Sequence, residues 1–144
     1  MIEQDTIKLL RECDAGVKMG VKSIEDVQKY VRSSDLDAKL RDCRREHDEL
    51  GCQIRNELDR FGDEGKNPNP MAKGMSWMKT NTKLAFNESD KVIADLITDG
   101  CNMGVKTLHK YLNQYKAADE KSKNITKRLI NLEEGMTIDI RKYL

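Results

Sequence analysis

Apolar residues recur along the chain at alternating spacings of three and four, with charged residues between them. Ile7, Leu10, Asp14, Val17, Val21, Ile24, Gln28 and Val31 trace the first such seam. It predicts a helix over about Thr6 to Arg32, with Asp5 as N-cap. Leu36, Leu40, Cys43, His47, Leu50, Ile54, Leu58 and Phe61 trace the second. That helix runs from about Asp35 to Phe61, capped by Ser34 and stopped by Gly62. The short link at Ser33-Ser34 makes the two antiparallel neighbours. Next comes a polar, breaker-rich stretch from Gly62 to Pro70. Asn69-Pro70 suits the start of a short helix over about Met71 to Phe86. A third helix follows Asn87-Glu88-Ser89 to about Lys116, with Ala94, Ile97, Cys101, Val105, Leu108, Leu112 and Tyr115 on its seam. The break at Ala117-Ala118-Asp119 carries no Gly or Pro. A fourth helix then runs to the end along Ile125, Leu129, Leu132, Met136, Ile140 and Tyr143.

The two halves resemble each other. Met19-Gly20-Val21-Lys22-Ser23-Ile24 recurs as Met103-Gly104-Val105-Lys106-Thr107-Leu108, an offset of 84. The same offset pairs Gly16 with Gly100. For the second helix of each pair, the seam fits best at 82, which matches Leu50 with Leu132 and Phe61 with Tyr143. The chain thus reads as one all-α domain, residues 1–144. A hairpin over 1–62 and a second over 87–144 are joined by a long crossover over 63–86 that contains the short helix. This is the connectivity of a ferritin-like four-helix bundle.

Composition agrees with long solvent-facing helices. Charged residues make up 35% of the chain and aromatics 5%, and both prolines lie in the central stretch. The net charge of +1 gives no reason to expect a nucleic-acid partner. No run of residues is apolar enough for a membrane span, so a cytoplasmic protein is expected. Cys13, Cys43, Cys52 and Cys101 form no C-x-x-C pair. They read as reduced, small apolar packers.

Several short motifs are similar to those of a ferritin-like family of bacterial proteins of unknown function. They are Asp14-Ala15-Gly16, Arg45-Glu46-His47-Asp48-Glu49-Leu50, Gly74-Met75-Ser76-Trp77-Met78-Lys79 and Asp99-Gly100. The resemblance implies a four-helix bundle, self-association, and an association of some members with stress conditions. It implies no activity, and a fold alone does not supply one.

A carboxylate-bridged di-metal bundle needs inward Glu residues on two helices and Glu-x-x-His on the other two. The second helix offers Glu46, His47 and Glu49, but Arg44 stands three residues before His47. Asp14 lies on the first seam. Glu46, His47, Glu49 and Asp14 are therefore the candidate ligands for iron or another divalent metal, although no cofactor is expected. The hairpin register weakens the set. It puts His47 level with Gly20 and Asp14 level with Gln53, about 9 Å apart along the axis. A half-buried His47 with a hydrogen-bonded neighbour and a satisfied seam-edge Asp14 are the simpler readings. His109 has no assigned role. No Gly-rich phosphate loop or nucleophile set stands out.

Gly16 and Gly20, like Gly100 and Gly104, share a helix face at a cost of about 1 kcal/mol each against alanine. They suggest close packing of the first and third helices, or clearance for a ligand. Met71, Met75, Trp77 and Met78 give the crossover more apolar surface than one bundle face needs. They dock on the bundle or form a homodimer interface. The function expected is a non-catalytic, self-associating bundle. The alternative is a metal-binding or metal-storage bundle, or an oxidoreductase.

Overall fold

The computed structural model describes residues 2–68 and 89–144. Over these residues the regular secondary structure is all helical, without strands. The four long helices are α1 (Ile2–Gln28), α2 (Ser34–Arg60), α3 (Ser89–Gln114) and α4 (Glu120–Ile140), followed by a short 3-10 turn, Arg141–Tyr143. No described helix is long and apolar enough to cross a membrane. The short helix expected over about 71–86 lies outside the described residues.

The helix ends follow from capping chemistry, with small shifts from the sequence reading. Ser33, not Ser34, caps α2, its hydroxyl accepting from the Leu36 N–H. Asp5 lies inside α1 rather than at its N-cap, because the helix already begins at Ile2. Its carboxylate serves another turn, accepting from the Ala117 N–H at 3.0 Å. At the end of α2, Gly62 takes φ +67°. The Gly62 N–H returns to the Asp59 carbonyl and the Asp63 N–H to the Leu58 carbonyl. Glycine makes that left-handed reversal without strain.

Each helix packs on two neighbours, in the ring order α1, α2, α4, α3, with a further diagonal contact between α1 and α4. Hydrogen bonds fix the directions. Asp90 at the start of α3 accepts from the N–H groups of Arg32 and Ser33, just beyond α1. Thr6 at the start of α1 accepts from the Asp119 N–H, just beyond α3. The start of α2 meets the end of the chain through Asp35 and Tyr143, and Gln53 meets Arg128 lower down. All ring neighbours are therefore antiparallel, while α1 runs parallel to α4 across the diagonal.

The apolar interior is divided in two. One cluster holds Ile24, Leu36, Leu40, Ile93, Ile97 and Ile140, near the turn between α1 and α2. The other holds Leu10, Val17, Leu50, Ile54, Leu108 and Leu129, toward the opposite end. Burying each large aliphatic side chain contributes about 1.5–3 kcal/mol. His47 and Glu133 occupy the layer between the clusters, with Cys43 and Met136 on one side and Leu50 and Leu129 on the other.

Candidate functional site

The sequence of α2 places His47 on the same stripe as Cys43, Leu50 and Ile54, all buried. In α4 the buried stripe is Ser122, Thr126, Leu129, Glu133, Met136 and Ile140, again spaced four and three. The expected Leu132 is only partly buried beside it. The stripe turns Glu133 inward and leaves Leu132 at its edge. Glu133 is thus a central residue that the seam reading passed over. The signal was present in the alternation from Ser122 to Ile140, where polar residues hid three of the six positions.

His47 Nε2 and Glu133 Oε1 face each other at 3.8 Å across the α2–α4 contact, with side chains only 3% and 9% exposed. Both groups have glycine at their backs. A Cβ on Gly20 would stand 2.7 Å from His47 Nε2, and one on Gly104 would stand 2.1 Å from Glu133 Oε2. The two glycines hollow α1 and α3 so that an imidazole and a carboxylate fit inside the bundle.

His47 Nδ1 lies 2.8 Å from the Cys43 carbonyl oxygen. A carbonyl can only accept, so Nδ1 carries its proton and donates. Nε2 is then left facing Glu133. Burial disfavours charge on the imidazole and is the largest single influence on it. Hydrogen bonding to Cys43 and to Glu133 outweighs burial and brings His47 up to about 10. Burial also raises the Glu133 carboxyl, while His47 opposes the rise. The pair accordingly retains a proton at neutral pH. Among the described residues His47 Nε2 and Glu133 Oε2 have no hydrogen-bond partner, and the 3.8 Å between Nε2 and Oε1 is an ionic approach rather than a hydrogen bond.

Thiols surround this layer. Burial pushes Cys13 up to about 12, against a hydrogen-bonding contact with Thr126 at 3.1 Å. Burial also raises Cys101, as do Glu133 and Cys43. Such thiols are poor nucleophiles, because the thiolate is the reactive form. Only Cys52 is exposed, and all four cysteines are free.

The other candidate ligands are not brought to His47. Glu46 and Glu49 lie on the exposed side of α2. Asp14 is buried but belongs to the Gly65-Lys66 loop. It pairs with Lys18 at 2.8 Å and accepts from the Lys66 N–H at 3.0 Å. Gly65, at φ +86°, lets that loop approach, since a Cβ there would stand 2.3 Å from Asp14 Oδ2. Among the described residues no three His, Cys, Asp or Glu side chains converge to hold a metal ion. His109 is exposed.

At two of the four glycines the atoms nearest to an added Cβ belong to a side chain rather than to the backbone of a neighbouring helix. Gly20 and Gly104 admit side chains from α2 and α4. Gly16 has one ordinary contact, Leu129 at 3.9 Å, and Gly100 has none within 4 Å. Met71, Met75, Trp77 and Met78 lie outside the described residues.

A second polar group, Glu57, is buried at the α2–α4 contact and pairs with Lys121 and Arg60. These cations, led by Lys121, hold its carboxyl below the usual range. It ties the two helices together and is otherwise enclosed. No family model, curated protein or solved structure matches the chain.

Proposed function

We propose that the chain is a ferritin-like bundle made from a duplicated hairpin, and that it works by self-association rather than by catalysis. The carrying observation is the layer of His47 and Glu133. A di-metal centre would need several inward carboxylates and histidines at such a layer. Here one imidazole and one carboxylate face each other, enclosed by apolar side chains, so the residues present do not fit a di-metal centre.

Positional correspondence supports the duplication. The N-caps Ser33 and Asp119 lie 86 positions apart, and both accept from the N–H three residues on. The same offset carries Leu36, Leu40, Cys43, His47, Leu50 and Ile54 onto the buried stripe of α4. His47 falls on Glu133. In the first helices the offset is 84, which carries Gly20 onto Gly104 and Thr6 onto Asp90. The link in the second hairpin is thus two residues longer, in place of the shorter link that an offset of 82 suggested. The directions of the four helices support a ferritin-like path. Asp63 lies beside Arg11 at one end and Asp90 beside Ser33 at the other, so the end of α2 and the start of α3 stand at opposite ends of the bundle.

Three buried free thiols suit a reducing compartment, and we place the protein in the cytoplasm. A metal-binding bundle is the competing reading, favoured by the unpartnered Nε2 and Oε2 atoms. Metal analysis of full-length protein purified without chelator, before and after iron or manganese loading, separates the two. The expected result is no stoichiometric metal; two ions per chain overturn the proposal. Light scattering tests self-association, with a dimer or larger assembly expected and a monomer counting against it.

A further inference from the structure

We infer that the groove between α2 and α4 is the face on which two copies of this chain join, α2 of each lying on α4 of the other. The inference rests on the self-association reading and names its surface. Cys43, Leu50, Leu132 and Met136 line the groove, and charged residues stand along its walls. The antiparallel register sets where those charges fall. Tyr143 and Lys142 meet Asp35 at one end, and Arg128 meets Gln53 toward the other. Lys39 on α2 and Asp139 on α4 therefore share the upper level. Glu49 on α2 and Arg128 on α4 share the lower.

The four charges alternate in sign around the groove, a pattern complementary to itself. A two-fold axis running along the groove lays each α2 on the partner's α4, upper level on upper level. Lys39 then faces Asp139 of the other copy, and Glu49 faces Arg128. An axis across the groove would match these charges as well. It would also set the Asp42 and Glu46 of one α2 against those of the other, and opposed like charges are unfavourable. With the axis along the groove, Glu46 instead faces Asn131 and Gly135, which line the α4 wall without charge, and Asp42 falls between Gly135 and Asp139. The partners these groups have within the chain are weak holds. Lys39 pairs with an exposed Asp35, and Arg128 with the amide oxygen of Gln53. Exposed pairs of this kind exchange at little cost.

Gly135 lines the same groove, and a Cβ there meets nothing within 4 Å. A glycine inside a helix is unfavourable by about 1 kcal/mol against alanine. No described residue fills the space it leaves. A second copy would.

The test is sedimentation equilibrium of the full chain and three variants. Lys39→Glu with Arg128→Glu makes all four positions acidic, and Glu49→Lys with Asp139→Lys makes all four basic. Each double variant is expected to weaken self-association at least about tenfold. An equimolar mixture of the two is expected to restore the wild-type assembly, which also shows that both are folded. Gly135→Leu is expected to weaken association at least about tenfold with helix content unchanged. A wild-type assembly that all three variants retain places the contact elsewhere and overturns this proposal alone. A monomeric wild type overturns the self-association reading together with it.

Discussion

His47 Nε2 and Glu133 Oε1 meet at 3.8 Å in the middle of the bundle, one on α2 and the other on α4. Among the described residues this pair holds the one buried imidazole. Its first consequence is a pH dependence. The folded chain holds the His47 proton to about 10, whereas an unfolded histidine releases it near 6.5. A folded pKa above the unfolded one gives stability that is complete below about pH 6.5 and is lost as pH rises toward 10. The Cys13 and Cys101 thiols, raised by burial, act in the same sense, but only above about pH 8.5. Urea unfolding between pH 6.5 and 8.5 should therefore show stability falling by up to about 1.4 kcal/mol per pH unit. His47→Gln should flatten that slope. A wild type as flat as the variant would refute the shared proton.

The pair should be costly to break and cheap to replace. Glu133→Ala leaves an imidazole without its partner in an apolar interior, and a loss of about 3–5 kcal/mol is expected. His47→Leu combined with Glu133→Met keeps the volume and removes both polar groups. That double variant should unfold within about 2 kcal/mol of wild type, or above it. Chemical denaturation of the full mutant cycle measures the coupling. Additive effects would show that the two side chains do not sense each other.

Gly20 gives a test whose sign reverses. A methyl group there would stand 2.7 Å from the imidazole, a ring with little freedom to retreat. Gly20→Ala should therefore destabilise the chain by about 1–3 kcal/mol. In a His47→Ala background the obstruction is gone, and the same change should gain up to about 1 kcal/mol from helix propensity. A gain in both backgrounds would mean that the ring does not rest on Gly20.

Asp14 predicts a local effect. Its carboxylate accepts from the Lys66 N–H and pairs with Lys18. Asp14→Ala removes the anchor of the loop after α2, at an expected cost of about 1–3 kcal/mol. Limited proteolysis should then cut faster within residues 63–68, while the helical circular dichroism signal persists. An unchanged cleavage rate would show that the loop is held by other contacts, such as Arg11 with Asp63.

The helices were legible because their apolar spacing is regular, and their ends were legible to within a few residues. The level of His47 with Gly20 was legible as well, since a short turn between antiparallel helices fixes the register. Glu133 was not. A seam drawn through apolar residues runs to Leu132, whereas the buried stripe runs through Ser122, Thr126 and Glu133. Ser122 and Thr126 are buried by donating to carbonyls three and four residues back, and Glu133 by facing His47 on another helix, and an apolar pattern displays neither. Asp5 shows the same limit. It has the chemistry of an N-cap for its own helix, and it serves a turn more than a hundred residues away.

The two turns carry a further consequence. Asp90 of the second hairpin accepts from the N–H groups at the turn of the first, and Asp5 and Thr6 of the first hairpin accept from those at the turn of the second. Each half thus finishes the other's hairpin. A half made alone would leave these donors to water and frayed ends, whereas two separately made halves would recognise each other when mixed. Closure of both turns therefore belongs to the pair of hairpins and to neither alone.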